Sequence, residues 1–410
     1  LRIVIPLCIL GDVALFLSSN IDPRAVSVMV QLVIGTKTID VGSVFDFGLT
    51  STVVDMWNAG VYPLSVLIMF FSGIWPYIKL VSMLLAWLVP PKLVTIGSRE
   101  TILVVLDALG KWSLIDFFVM VLMLCAFFFN IYIADSKITV NVTVLPRWGF
   151  YGFLLATMIS LGLGHIILAC HRLIVEPKVL PVPEEYSPKE SLSSITYEVE
   201  LTDKEVAAIV EAIAVVFLLV VTALFVVAGT FLDSMKFEFK GLVGLMLRDA
   251  AEVEYSFVTV GTSIPKHSGV PNDFATRWLQ ASFFLFGQAM PFALLLTMLV
   301  LWVVPLTLSM QRTIFVLAEV LNAWSALDVF CISIAAALLE IQQFAAFIVG
   351  DSCDAINVFL AEFMDPLLEG DDKCFDVVAQ LDKNSWTVFM AAALLIVVVL
   401  PLLSVCNSAI

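Results

Sequence analysis

TILVVLDALGKWSLIDFF at residues 101–118 and TIFVLAEVLNAWSALDVF at residues 313–330 are two copies of one segment. The opening Thr-Ile, the acids Asp107 and Glu319, the pairs Trp112-Ser113 and Trp324-Ser325, and the acids Asp116 and Asp328 align without a gap. Upstream, AWLVP ending at Pro90 matches LWVVP ending at Pro305, and Pro76 matches Pro291. Farther upstream, Phe45, Thr50 and Ser51 share their spacing with Phe257, Thr262 and Ser263. A repeat that recurs across half the chain sets the architecture before any single element is assigned.

The composition says what kind of repeat it is. Of 410 residues, 61% are hydrophobic and 14% charged, with a mean hydropathy of +1.03. Soluble domains run at about 45–50% and 25%. An ordinary cytosolic enzyme and a disordered chain are therefore excluded. The net charge of −15 leaves no basic patch for phosphate contacts, so no nucleic-acid partner is expected.

Apolar runs of the length a bilayer requires occur at about 3–19, 62–89, 114–133, 149–170, 206–231, 283–304, 326–349 and 386–405. Residues 95–113 and 309–325 read as amphipathic helices feeding the next span. Residues 25–47, 137–145 (KITVNVTVL) and 237–262 read as β-structure. Unpaired strands cannot sit in lipid, so these stretches belong in water, and loop parity places them all on one face. The expected fold is an all-α polytopic membrane protein: two tandem four-helix modules with a small β-rich extracytoplasmic cap. The predicted divisions are 1–175, a Pro/Glu/Ser-rich cytoplasmic linker at 176–205 (EPKVLPVPEEYSPKESLSS within it), and 206–410. Four spans separate equivalent positions, so the repeat is parallel rather than inverted. The chain opens on apolar residues at Leu1 and is expected to be part of a longer protein. Asp12 at the centre of the first run argues for a retained span rather than a signal peptide.

Three signals bear on the side of the cap. Cys353 and Cys374 flank the loop between the last two spans, and a disulfide between them would need an oxidising compartment. The sequon Asn141-Val142-Thr143 lies on the same face by parity and is a candidate glycosylation site. Residues 351–383 carry seven Asp and two Glu against two Lys, which also favours the exterior. Lys92, Arg99, Lys111 and Arg312 fall on the other face. Both termini are thus expected to be cytoplasmic, in a secretory-route or plasma membrane.

Polar residues within spans are costly, about 2.5–3.5 kcal/mol each, and mark candidate sites. Lys79 and Asp12 lie at similar depth and are expected to pair, either as a staple between helices or as a polar spot lining a lipid or ion path. Asp116 joins them as a candidate polar group. Ser113 and Ser325 read as helix N-caps, with Asp116 and Asp328 in the first turn. Trp112 and Trp324 read as interface anchors. Pro76 and Pro291 are expected to kink their spans and could act as hinges. His165, after Gly162 and Gly164, reads as a packing residue. Glu211 and Glu340 are single acids near span ends. Hydrolase, metalloprotease and phosphate-loop motifs are absent, so neither catalysis nor a metal is expected.

The pattern Tyr62-Pro63, Trp75-Pro76-x-x-Lys79-Leu80 and Leu106-Asp107-x-Leu109-Gly110-Lys111-Trp112-Ser113-x-x-Asp116 resembles the paraquat-inducible protein A family over nearly the whole chain. The resemblance implies a membrane subunit that loads or extracts lipids alongside MCE-domain partners, with bound lipid and no other cofactor. Two departures stand out: the family's zinc-ribbon cysteines are missing, and the second copy has Leu294 where the first has Lys79. Two other readings remain open. One is a claudin-like accessory protein acting through its cap on other membrane or extracytoplasmic proteins. The other is a proton-coupled carrier of small solutes.

Overall fold

The computed structural model describes residues 2–34, 37–90, 93–133, 138–175, 204–247, 251–339, 341–343, 345 and 374–409. Among these, eight helices are long and apolar enough to cross a membrane. In the first module they are α1 (Val4–Ile21), α3 (Tyr62–Leu88), α4 (Ile96–Ala126) and α5 (Trp148–Val175). The amphipathic segment at 95–113 does feed its span without a break, through a tight turn at Gly110–Leu114. The third span ends at Ala126 rather than Ile133, because Phe129–Ile133 forms a strand. In the second module the helices are α6 (Lys204–Phe231), α9 (Phe274–Val303), α10 (Leu308–Leu339) and α11 (Trp386–Asn407).

The cap of the first module is an antiparallel sheet of β1 (Val26–Ile34), β2 (Lys37–Phe47), β3 (Phe129–Ile133) and β4 (Ile138–Pro146), followed after β2 by α2 (Leu49–Asn58). Its strand order is β2-β1-β4-β3. The second cap holds β5 (Asp233–Lys240), α7 (Gly241–Leu247), β6 (Glu252–Ser256), α8 (Phe257–His267) and β7 (Asp376–Leu381). Its order is β6-β5-β7. The two sheets share one topology. In each, the strand leaving the module's first span pairs on one side with the next strand and on the other with the strand entering the module's last span. On β5, Met235, Phe237 and Phe239 are buried, while Lys236, Glu238 and Lys240 alternate onto the wetter face.

The stretch 237–262, expected to be β-rich, is half helical. α8 starts on a capping box in which Ser256 and Thr259 satisfy each other's backbone N–H groups. α2 starts with one half of such a box, the Gly48 N–H donating to Ser51 Oγ (2.9 Å). Both cap helices end near a glycine at positive φ, Gly60 (81°) and Gly269 (72°). These features align the helices one turn away from the Phe-x4-Thr-Ser match, which the structure does not support. Phe45 lies in β2 and pairs with Val28, whereas Phe257 opens α8.

The spans carry the repeat at atomic detail. A wide π-helical turn at Met69–Ile74 precedes Pro76, and another at Leu285–Ala289 precedes Pro291. A third, at Leu395–Val399, precedes Pro401. Proline has no N–H and its ring collides with the carbonyl four residues back; widening the turn relieves that clash. Trp112 stacks on Phe71 (5.4 Å, 25°), and Trp324 stacks on Phe286 at the equivalent position (5.7 Å, 23°). The two tryptophans are therefore packing residues and not interface anchors. That role suits Tyr62, Trp148 and Trp386, which are 52–57% exposed at the cap ends of their spans.

Ser113 does not cap, because α4 runs on through it and leaves no free helix terminus; its span's N-cap position is Leu114, without a side-chain bond. Ser325 ends the first part of α10, and its carbonyl accepts from Lys111. The thiols of Cys8, Cys125, Cys170, Cys331 and Cys406 are free. Cys374 is not one of them, and Cys353 lies outside the described residues, as do Lys92, Glu340 and most of the linker. Asn141 sits in β4 between Gln31 and Asn130, and Thr143 is buried beneath Gly269.

The caps meet at a histidine. His267 of α8 is buried, lies flat on Phe128 (4.1 Å, 18°) and stands edge-on to Tyr255; its Nδ1 makes no hydrogen bond among the described residues. Burial, then the charge of Lys266, pushes its pKa down from 6.5 to about 4. The folded state thus prefers neutral imidazole. Its contribution is fully present above pH 6.5 and drains away as pH falls from 6.5 towards 4, by up to about 3 kcal/mol. Thermal melts between pH 7.5 and 4.5 should show this loss, and His267→Phe should flatten the profile over that window.

Candidate functional site

The bottoms of α1 and α3 are held level by a bond from Trp87 Nε1 to the Arg2 carbonyl (3.4 Å). From there Lys79 and Asp12 each stand about 13 Å up their helices, at 1.5 Å per residue. Both are almost completely buried, at 1% and 2% exposure. They share a depth, as expected, but they form no direct pair. Lys79 Nζ and both Asp12 oxygens make no hydrogen bond among the described residues. The lysine instead reaches α4. A side chain at Gly110 would stand 2.5 Å from Nζ, so glycine there makes room for the ammonium. Of the carboxylates acting on Lys79, Asp107 of α4 is the stronger and Asp12 the weaker.

Asp107, known from the sequence only as the repeat's first acid, proves central. Its Oδ2 lies 3.2 Å from His165 Nδ1 on α5, while its buried Oδ1 has no hydrogen-bond partner among the described residues. Gly164 allows this approach, since a Cβ there would meet Oδ1 at 3.1 Å. Trp324 Nε1, from the second module, donates to His165 Nε2 (2.8 Å). Because Nε2 accepts, a neutral His165 carries its proton on Nδ1, directed at Asp107. His165 is thus a satisfied group, as its sequence reading held. The signal that could have promoted Asp107 was already present: its alignment with Glu319.

Glu319 repeats the arrangement two turns along α5. Arg172 forks onto both Glu319 oxygens and lies 3.5 Å from Glu100. His165 and Arg172 share one face of α5, so each module's first acid docks on the same helix. A third link crosses the modules higher up, where Lys111 Nζ lies 2.7 Å from Asp328 Oδ2.

Asp116 stands about 9 Å beyond Gly110 towards the cap. It is the one ionisable residue in the lining of a cavity of about 80 Å³ inside the first module. Asp116, Val119, Met120 and Met123 form one face of α4, and Ile68, Leu49, Met56 and Phe153 complete much of the wall. Val26, Val28 and Val144 of the cap sheet roof it. Pro76 and Pro291 line no part of it.

Eight apolar spans, two matching sheets and a repeated Trp–Phe stack define an integral multi-pass membrane protein built from two tandem modules. The paraquat-inducible protein A family model matches residues 38–163 and 275–364, and the chain belongs to that family. No curated protein and no solved structure matches it.

Proposed function

We propose that this membrane subunit handles lipids, taking an acyl chain into the first-module cavity. The observation that carries the reading is the cavity itself: apolar walls reaching from the cap sheet to mid-span, with a single acid, Asp116, on them. Lys79, Asp12 and Asp107 lie one to two turns farther from the cap and form the polar part of the path. Pro76 and Pro291, behind their wide turns, serve as hinges between cap-side and opposite halves of their spans. In this reading the cap is extracytoplasmic, with Cys353 bonded to Cys374 and Asn141 glycosylated, and both termini are cytoplasmic. The cap meets partner proteins, of the MCE-domain type if the family role carries over. The chain performs no catalysis of its own.

One observation favours a second reading, a proton-coupled carrier: buried Lys79 and Asp12 lack hydrogen-bond partners among the described residues. An accessory role with a dry interior fits less well, because the first module is hollow.

Val119→Trp tests the lipid reading. Val119 is buried on the cavity wall, and an indole there takes up the space. Photolabelling of the reconstituted protein by a diazirine-bearing palmitate should fall at least about tenfold, equivalent to ~1.4 kcal/mol of binding. Undiminished labelling of the same peptides would reject the cavity as the site.

A further inference from the structure

The second module has the same walls, but two of them are aromatic. The same bond from the N-cap N–H to the hydroxyl three residues on, Gly48 to Ser51 and Ser256 to Thr259, makes Leu49, first residue of α2, the counterpart of Phe257, first residue of α8. The matched prolines and Trp–Phe stacks make Ile68 the counterpart of Phe283. In the first module these positions face the cavity as aliphatic side chains. In the second, Phe257 and Phe283 lie face to face (4.5 Å, 20°), and Phe330 stands edge-on to both (5.0 and 5.7 Å). All three rings are at most 1% exposed. The fit is close: a Cβ on Gly287 would lie 2.4 Å from the Phe257 ring. The acids differ in the same sense. Asp116 faces the cavity, whereas its counterpart Asp328 is held by Lys111.

We propose that the second module contains a closed counterpart of the first-module site, sealed by the stacked rings of Phe257 and Phe283, so that each chain binds hydrocarbon ligand in its first module alone. The inference rests on the reading of the first-module cavity as a lipid site. Large apolar side chains in stacked contact leave no room for a chain of methylenes. The duplication thus yielded one receptor and one scaffold.

The test is Phe257→Leu combined with Phe283→Ile, which installs the first module's residues. Protein reconstituted in phosphatidylcholine vesicles is photolabelled with diazirine-bearing palmitate, and adducts are counted by intact mass and located by peptide mapping. The wild type should carry one adduct, in the first module. The double variant should carry two, the new one near Cys331, with labelling there rising from background to the level of the first site. Phe257→Leu alone serves if the double variant does not fold. Equal labelling of both wild-type modules, or a folded variant that still carries one adduct, overturns the plug and leaves the first-module site standing. No adduct on any form overturns both.

Discussion

Lys79→Met is expected to abolish the proposed lipid transfer and to leave the protein folded. The ammonium is buried without a hydrogen bond among the described residues, so its removal orphans no donor or acceptor. Asp107 keeps His165. Lys79 makes no direct pair among the described residues, so an apolar side chain of similar length breaks none and removes the cost of burying the ammonium. Transfer, by contrast, loses the one cation that Asp107 and Asp12 both act on within the span. A fall of about 10²-fold or more is expected, the size of a lost proton-transfer group. Fluorescent phospholipid exchange between vesicles reads the first effect and thermal melting the second. Normal exchange would make Lys79 a bystander. A protein that fails to fold would make it a staple.

The second large effect lies between the modules. Lys111→Met leaves the Asp328 carboxylate, 12% exposed, without its 2.7 Å partner. Breaking such a pair costs about 3–5 kcal/mol, because the surviving charge stays desolvated. Lys111→Met with Asp328→Asn removes both charges and should recover most of that loss. A coupling energy of about 2 kcal/mol or more is expected from the double-mutant cycle, read by denaturant unfolding in detergent micelles. Additive single losses would show that the pair contributes no net attraction and that apolar packing, such as Phe118 edge-on to Phe283 (5.8 Å) and Phe330 (5.5 Å), holds the modules together.

These effects rest on features that the sequence revealed unevenly. The spans were legible because a bilayer tolerates only long apolar helices, so runs such as 386–405 have no other reading. The strands at 25–47 were legible from their alternation. α8 was not: VTVGTSIP is β-branched and resembles a strand, and only the Ser256–Thr259 capping box betrays a helix start. The same misreading slipped the cap alignment by one turn. Lys79 and Asp12 were placed at the right depth, but a depth argument sees position along the bilayer normal and not around it, so Asp107 on a third helix was missed as the stronger partner. Ser113 looked like a cap because Ser-x-x-Asp usually marks a terminus; here the helix continues through it. The cavity had no signal at all. Leu49 and Ile68 on its wall stand where the second module has rings, and that contrast carries meaning only once the two modules are aligned in space.

The most direct test is an experimental density map of the protein in a lipid nanodisc. The account predicts an elongated density beneath the first cap sheet, running along Val119, Met120 and Met123 to Asp116, with the Phe257–Phe283 stack filling the equivalent space in the second module. A first module whose side chains close over that space, with no density between α1, α4 and α5, would contradict it.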